Sequence, residues 1–182
     1  MAIDTDRLVE EALAQGADRA AITETTAISF VEEFRQACEQ NTCRKYGTNW
    51  VCPPAVGAFA DLKARACGYR RGLLFQTVHQ LDGSFDWPGM MAAKKVHDGV
   101  FRKIVAAVKD RHGLADILAL SAGACEVCPR CAYLDGLACR FPAEAFASLE
   151  AYGIDVMNLE KACGLPYYNG VGTVTYAGLI LF

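Results

Sequence analysis

A chain of 182 residues with 53% hydrophobic side chains can bury a sizeable core, and a formal charge of -3 with a pI of about 5.6 argues against nucleic acid as a partner. No apolar run is long enough to cross a membrane, and the start, MAIDTDRLVEEALAQG, has acidic residues where a signal peptide would have a basic start and an apolar stretch. Its nine cysteines are therefore read in a cytoplasmic setting, where disulfides are rare and clustered thiols more often bind metal.

Asp4 or Thr5 can cap a first helix with Leu8, Val9, Ala12 and Leu13 on its apolar face and Gly16 as its stop. RAAITETTAISF is rich in β-branched residues and predicts one or two strands. VEEFRQAC predicts a helix that delivers Cys38. NTCRKYGTNWVCPPAVG is turn-rich and predicts a loop held by something other than its own ladder. AFADLKARACG predicts a short helix stopped by Gly68, GLLFQTVHQ a strand and DGSFDWPG a loop. The longest helix is predicted from about Met90 to His112, with Val96, Val100, Ile104 and Val108 as its stripe, Phe101 and Val105 beside it and Gly113 as its stop. ADILALSAG predicts a strand leading into a Cys-rich loop. AEAFASLEAYG predicts a helix ending at Gly153, IDVMNLEKACG a helical or mixed segment, and GTVTYAGLILF a closing strand. The expected fold is α/β: a layered mixed sheet with flanking helices and a Cys-rich cluster-binding loop region. One metal-binding domain over 1–182 is expected, with Cys-rich segments at 38–54 and 123–142.

The segment GACEVCPRCAYLDGLACRFP sets Cys125, Cys128 and Cys131 at C-x2-C-x2-C, the spacing with which ferredoxins grip a [4Fe-4S] cluster. Cys139 is the near candidate for the fourth thiolate, or serves another cluster. Pro129 and Pro142 stiffen the loop, so backbone N–H groups can point at cluster sulfurs. Arg130 and Arg140 either offset the site's negative charge or are solvated loop residues. Zinc is the alternative, although structural zinc usually takes two separated Cys pairs.

Cys38, Cys43 and Cys52, separated by four and eight residues, fit no standard zinc pattern. Cys52 precedes Pro53 and Pro54, echoing the Cys-Pro that ends ferredoxin motifs. Its fourth ligand is Cys163, Cys67, Cys139 or none. Cys163 is favoured because it precedes Gly164 in a loop-like stretch; Cys67 reads as a buried structural thiol. Four thiolates close a cluster, so only electrons pass, whereas three leave one iron open to a ligand. Tyr46, Trp50 and Tyr133 are expected to limit solvent.

Taken together, CRKYGTNWVCPP, GACEVCPRCAYLDGLACRFP, SLEAYGIDV and TYAGLILF resemble the bacterial and archaeal family of predicted metal-binding proteins, a Cys-rich domain of unknown function. Cys43, Tyr46, Gly47, Trp50, Cys52, Pro53 and Pro54 match the first block, and Cys125, Cys128, Cys131, Cys139, Arg140 and Pro142 the second; Cys38 lies farther from Cys43 than the family pattern. The resemblance covers nearly the whole chain and implies metal binding, but no reaction or substrate.

His79, His97 and His112 are scattered, and His97 reads as a core or boundary residue. Glu32 and Glu33 read as a solvated face, and NGVGTVTYAG as a turn. There is no P-loop or serine nucleophile elbow. The leading expectation is an iron–sulfur protein with one or two [4Fe-4S] clusters, passing single electrons to a redox partner in anaerobic or low-potential metabolism. The alternatives are a zinc-stabilised binding module and an enzyme with an open iron site at the first cysteine group.

Overall fold

The computed structural model describes residues 3–83 and 85–182; Met1, Ala2 and Ser84, the last within the loop expected at DGSFDWPG, lie outside them. Five α-helices and five strands are found among the described residues. They are α1 (Thr5–Ala14), β1 (Arg19–Glu24), α2 (Glu32–Gln36), α3 (Phe59–Cys67), β2 (Arg71–Gln80), α4 (Trp87–Asp110), β3 (Leu118–Ser121), β4 (Ala147–Ser148), α5 (Val156–Ala162) and β5 (Thr173–Leu181). The strands form one sheet in the order β1-β2-β5-β3-β4. Every pairing is antiparallel except β3 with β4, so the sheet is mixed and the α/β expectation holds.

Strand β5 organises the sheet, pairing with β2 from Gly72↔Leu181 to Gln80↔Thr173 and with β3 from Leu118↔Leu181 to Leu120↔Leu179. Side chains alternate across a strand, so these registers sort the apolar residues onto two faces. Leu74, Leu120, Leu179 and Leu181 pack with Leu62 of α3, Leu159 of α5 and Tyr152. Leu73, Phe75 and Ile180 pack with Leu8 of α1 and Phe101, Ile104 and Val108 of α4. The core therefore lies in two layers, one on each side of the sheet. No helix among the described residues is long and apolar enough to cross a membrane.

Several predicted elements shift in detail. The Asp4 carboxylate caps α1 by accepting from the Arg7 N–H at 3.3 Å. Leu8 and Ala12 are buried, but Leu13 lies a 100° step off that stripe and is exposed. The β-branched run makes a single strand that ends at Glu24 and passes into a tight turn over Thr25–Ala27. Trp87, Pro88 and Gly89, expected in a loop, open α4 instead, because Asp86 caps it and Pro88 suits a first turn. The buried face of α4 is Ala93, His97, Phe101, Ile104, Val105 and Val108; Val96, expected in the stripe, is 55% exposed.

The largest correction falls on AEAFASLEAYG, which forms no helix. Ala147 and Ser148 pair in parallel with Leu120 and Ser121, and a single tight turn over Glu150–Tyr152 follows. Leu149, Ala151 and Tyr152 are nearly fully buried. Closing the sheet edge and filling that core outweigh helix propensity. Gly153, at φ +66°, does end the segment: a Cβ there would stand 2.7 Å from the Val31 carbonyl oxygen.

His97 is a core residue, 0% exposed, with Nδ1 2.9 Å from the Thr77 hydroxyl and its ring stacked on Phe75. Burial, reinforced by His79 and Lys94, pushes its pKa down to about 3. The folded state thus keeps His97 neutral where the unfolded chain, with an ordinary value of 6.5, takes up a proton. Stability should therefore fall as pH drops from about 6.5 towards about 3. A His97→Gln variant should show a shallower slope in urea titrations across that window.

Two glycines separate packing from backbone effects. A Cβ at Gly178 would sit 2.5 Å from Phe75 Cζ, whereas one at Gly99, in α4, meets nothing within 4 Å. Gly178→Ala should destabilise by about 1–3 kcal/mol. Gly99→Ala should stabilise by about 0.5–1 kcal/mol. Denaturant midpoints with unchanged m-values would check both.

Candidate metal centre

The second Cys segment hangs between two parallel neighbours, leaving β3 and returning to β4. It turns at Gly123, where φ is +69°, against the buried Lys94 side chain. A tight turn over Ala132–Asp135 buries Ala132 and is closed by Gly136 at φ +67°. The Leu137 N–H then donates back to the Ala132 carbonyl at 3.0 Å. This fold-back brings the fourth cysteine to the other three. Cys125, Cys128, Cys131 and Cys139 line one cavity with Val51 and Phe141.

Burial pushes the Cys125 thiol up; the Val127 N–H, which donates to it, and Arg102 act the other way. Cys139 and Cys128 add to the upward push, which marks their proximity. An N–H donated to the Cys125 sulfur favours its thiolate form. Arg130 is paired with Asp135 at 2.8 Å, and Arg140 donates to the Arg130 carbonyl at 3.0 Å. Both arginines are exposed and brace the loop itself. Beneath the start of the loop, Lys94 pairs with Asp98 at 2.7 Å and faces Glu126 at 3.6 Å.

The first segment is held by turns, as its composition predicts. Asn41 and Arg44 sit in the left-handed region at φ 52° and 58°. The Asn41 side chain accepts from the Tyr46 N–H at 3.1 Å, and the Gly47 N–H donates to the Pro53 carbonyl at 2.7 Å. Cys38 follows α2 in a tight turn, so VEEFRQAC delivers it as expected. Burial pushes the Cys38 thiol up, opposed by Arg35, with Cys43 adding to the rise. Burial likewise raises Cys52, against a hydrogen bond from Asn49, and both Cys43 and Cys38 raise it further. The three thiols thus lie within electrostatic reach of one another.

Two neighbours join the segments. Trp50 donates from Nε1 to the Leu137 carbonyl at 3.0 Å and meets Tyr133 edge-on at 5.1 Å between ring centroids. Asn49, 5% exposed, lines the four-thiol cavity while its amide serves Cys52. Trp50 and Tyr133 were expected near the cysteines. Asn49 was expected there only as a turn residue, and Arg35, Arg102 and Lys94 were not expected. The only signal for Lys94 was its position three residues before His97 on the buried stripe of α4.

Cys163 caps the C-terminus of α5, half-buried, with Thr23 hydrogen-bonded to it and Glu160 beside it. None of the three thiols of the first segment is among the groups acting on it. Cys67 is exposed at the end of α3 rather than buried. No disulfide joins any two of the nine cysteines. Among the described residues, no three His, Cys, Asp or Glu side chains are drawn together tightly enough to hold a single ion. The donor set of the second segment, four soft sulfurs lining one cavity, fits a thiophilic metal or an iron–sulfur cluster.

A family model described as Predicted metal-binding protein (DUF2284) matches residues 21–182. No curated protein and no solved structure matches the chain.

The Trp50 tether can be tested alone. Trp50→Phe removes one hydrogen bond and should cost about 0.5–1.5 kcal/mol. Metal should also leave faster, read as the rate of loss to a chelator. An unchanged release rate in Trp50→Ala would show that the tether does not guard the site.

Proposed function

The chain belongs to this family of predicted metal-binding proteins, and on that premise we propose that it is an iron–sulfur protein carrying single electrons. The observation that carries the reading is the lining of one cavity by Cys125, Cys128, Cys131 and Cys139. Together with the C-x2-C-x2-C spacing, this is the ligand set of a [4Fe-4S] cluster. A cluster bound there would accept and release one electron at a time.

The protein's own contribution is to hold and tune. Val127 offers its N–H to Cys125, and Arg102 opposes the accumulation of negative charge there. Trp50, Tyr133 and Phe141 limit water. Cys38, Cys43 and Cys52 would hold a second cluster. Its fourth ligand remains a choice among Cys163, Cys67, Cys139 and none. The proposed setting is one cytoplasmic metal-binding domain that delivers electrons to a redox partner protein in anaerobic or low-potential metabolism.

Two observations favour other readings. Cys139 completes a four-thiol set, which zinc in a structural module could also use. The first segment gathers three thiols, and the groups acting on Cys163 include none of them, as suits an open iron site in an enzyme.

The deciding measurement is iron, zinc and acid-labile sulfide per chain on protein purified without oxygen. Wild type should hold about eight iron and eight sulfide, and Cys128→Ser about four of each. About four of each in wild type would limit the reading to one cluster. Zinc without sulfide would replace it with the structural module. Full iron and sulfide in Cys128→Ser would overturn the ligand assignment.

A further inference from the structure

Away from the thiols, a cavity of about 480 Å³ opens where α5, the end of β3 and β5 meet. That volume is in the range of small-molecule sites. Leu149, Val156 and Val174 give it an apolar floor, while Tyr167 and Tyr168, 59% and 68% exposed, stand among its walls. Glu160 also lines it. Glu160 is 2% exposed; burial raises its pKa, the Gln76 side chain works against that rise, and its Oε2 is buried without a hydrogen-bond partner of good geometry. A buried acceptor left unpaired is costly and rare, and it marks a place where a donor belongs. Glu150 adds a second carboxyl, and no Lys or Arg lines the cavity among the described residues.

We propose that this cavity binds a small organic amine, with the ammonium on Glu160 and an apolar or aromatic flank against Tyr167 and Tyr168. A cationic donor satisfies Oε2 with a charge-assisted hydrogen bond. Tyrosine rings among the lining residues favour the same charge. Two carboxyls without a lining cation disfavour acids and leave neutral alcohols without the charge term. No cysteine lines the cavity, although Glu160 lies beside Cys163.

Calorimetry on the full-length protein as purified, with phenethylamine, 2-phenylethanol and 3-phenylpropionate as probes, tests this. Phenethylamine should bind at least about tenfold more tightly than either matched probe, a difference of about 1.4 kcal/mol. Glu160→Gln keeps the shape and should weaken the amine about tenfold or more. Tyr168→Ala changes an exposed side chain and should weaken it by a few fold. Melting curves of both variants would confirm the fold. Absence of amine binding, equal binding of the alcohol, or unchanged affinity in Glu160→Gln would overturn the site. The last result would mean that Gln76, whose Oε1 also lacks a partner, already satisfies a protonated Glu160 within the protein.

Discussion

Partial burial of thiols is the constraint on which the rest of this molecule depends. A thiolate is the ligand form of cysteine, and burial works against it. The structure half-buries Cys38, Cys52 and Cys125 and raises each thiol, with other cysteines adding to the effect. Such an arrangement is poor as a set of free thiols and good as a receptor for positive charge. A cation or cluster removes the protons and relieves the repulsion at once. The opposing groups are few and local: Arg35 near Cys38, Asn49 at Cys52, Val127 and Arg102 at Cys125. They moderate the cost of the thiolate charge without cancelling it.

The sheet makes this constraint tolerable by putting the thiols where the chain has no ladder to maintain. Strand β5 carries the regular pairing, so the loop after β3 can devote its backbone N–H groups to turns and to sulfur. The first segment has no strand at all between α2 and α3 and leans on the second through Trp50 and Asn49. Neither segment forms this site alone. One supplies the four-thiol ring, and the other supplies part of its wall.

Much of this was legible from residue order. Long, strongly periodic elements such as α4, β2 and β5 were identified because burial on one face imposes a period that local chemistry cannot hide. Spacing alone made Cys139 the near candidate for joining the triple, while Gly136, whose left-handed conformation turns the loop back, was not singled out. What sequence missed was set by tertiary demand. AEAFASLEAYG reads as a helix in isolation, but the sheet needed an edge and the core needed Leu149 and Tyr152. Lys94 and Glu160 were invisible for the opposite reason. Charged residues on a helix are usually solvated, and only packing reveals that these two are buried.

The parallel pairing of β3 with β4 has a further consequence, for assembly. Its two registered pairs, Leu120↔Ala147 and Ser121↔Ser148, join strands separated in sequence by the entire four-thiol loop. So short a ladder gains little by itself, and the entropy of closing the loop opposes it. Whatever draws the four sulfurs together shortens that loop and favours the pairing. With the sulfurs apart, β4 is the piece of sheet with the least to hold it, and its departure would turn β3 into an open edge. An unpaired edge strand is an invitation to other chains. Scarcity of a bound metal would then be felt as a tendency of the protein to associate with itself.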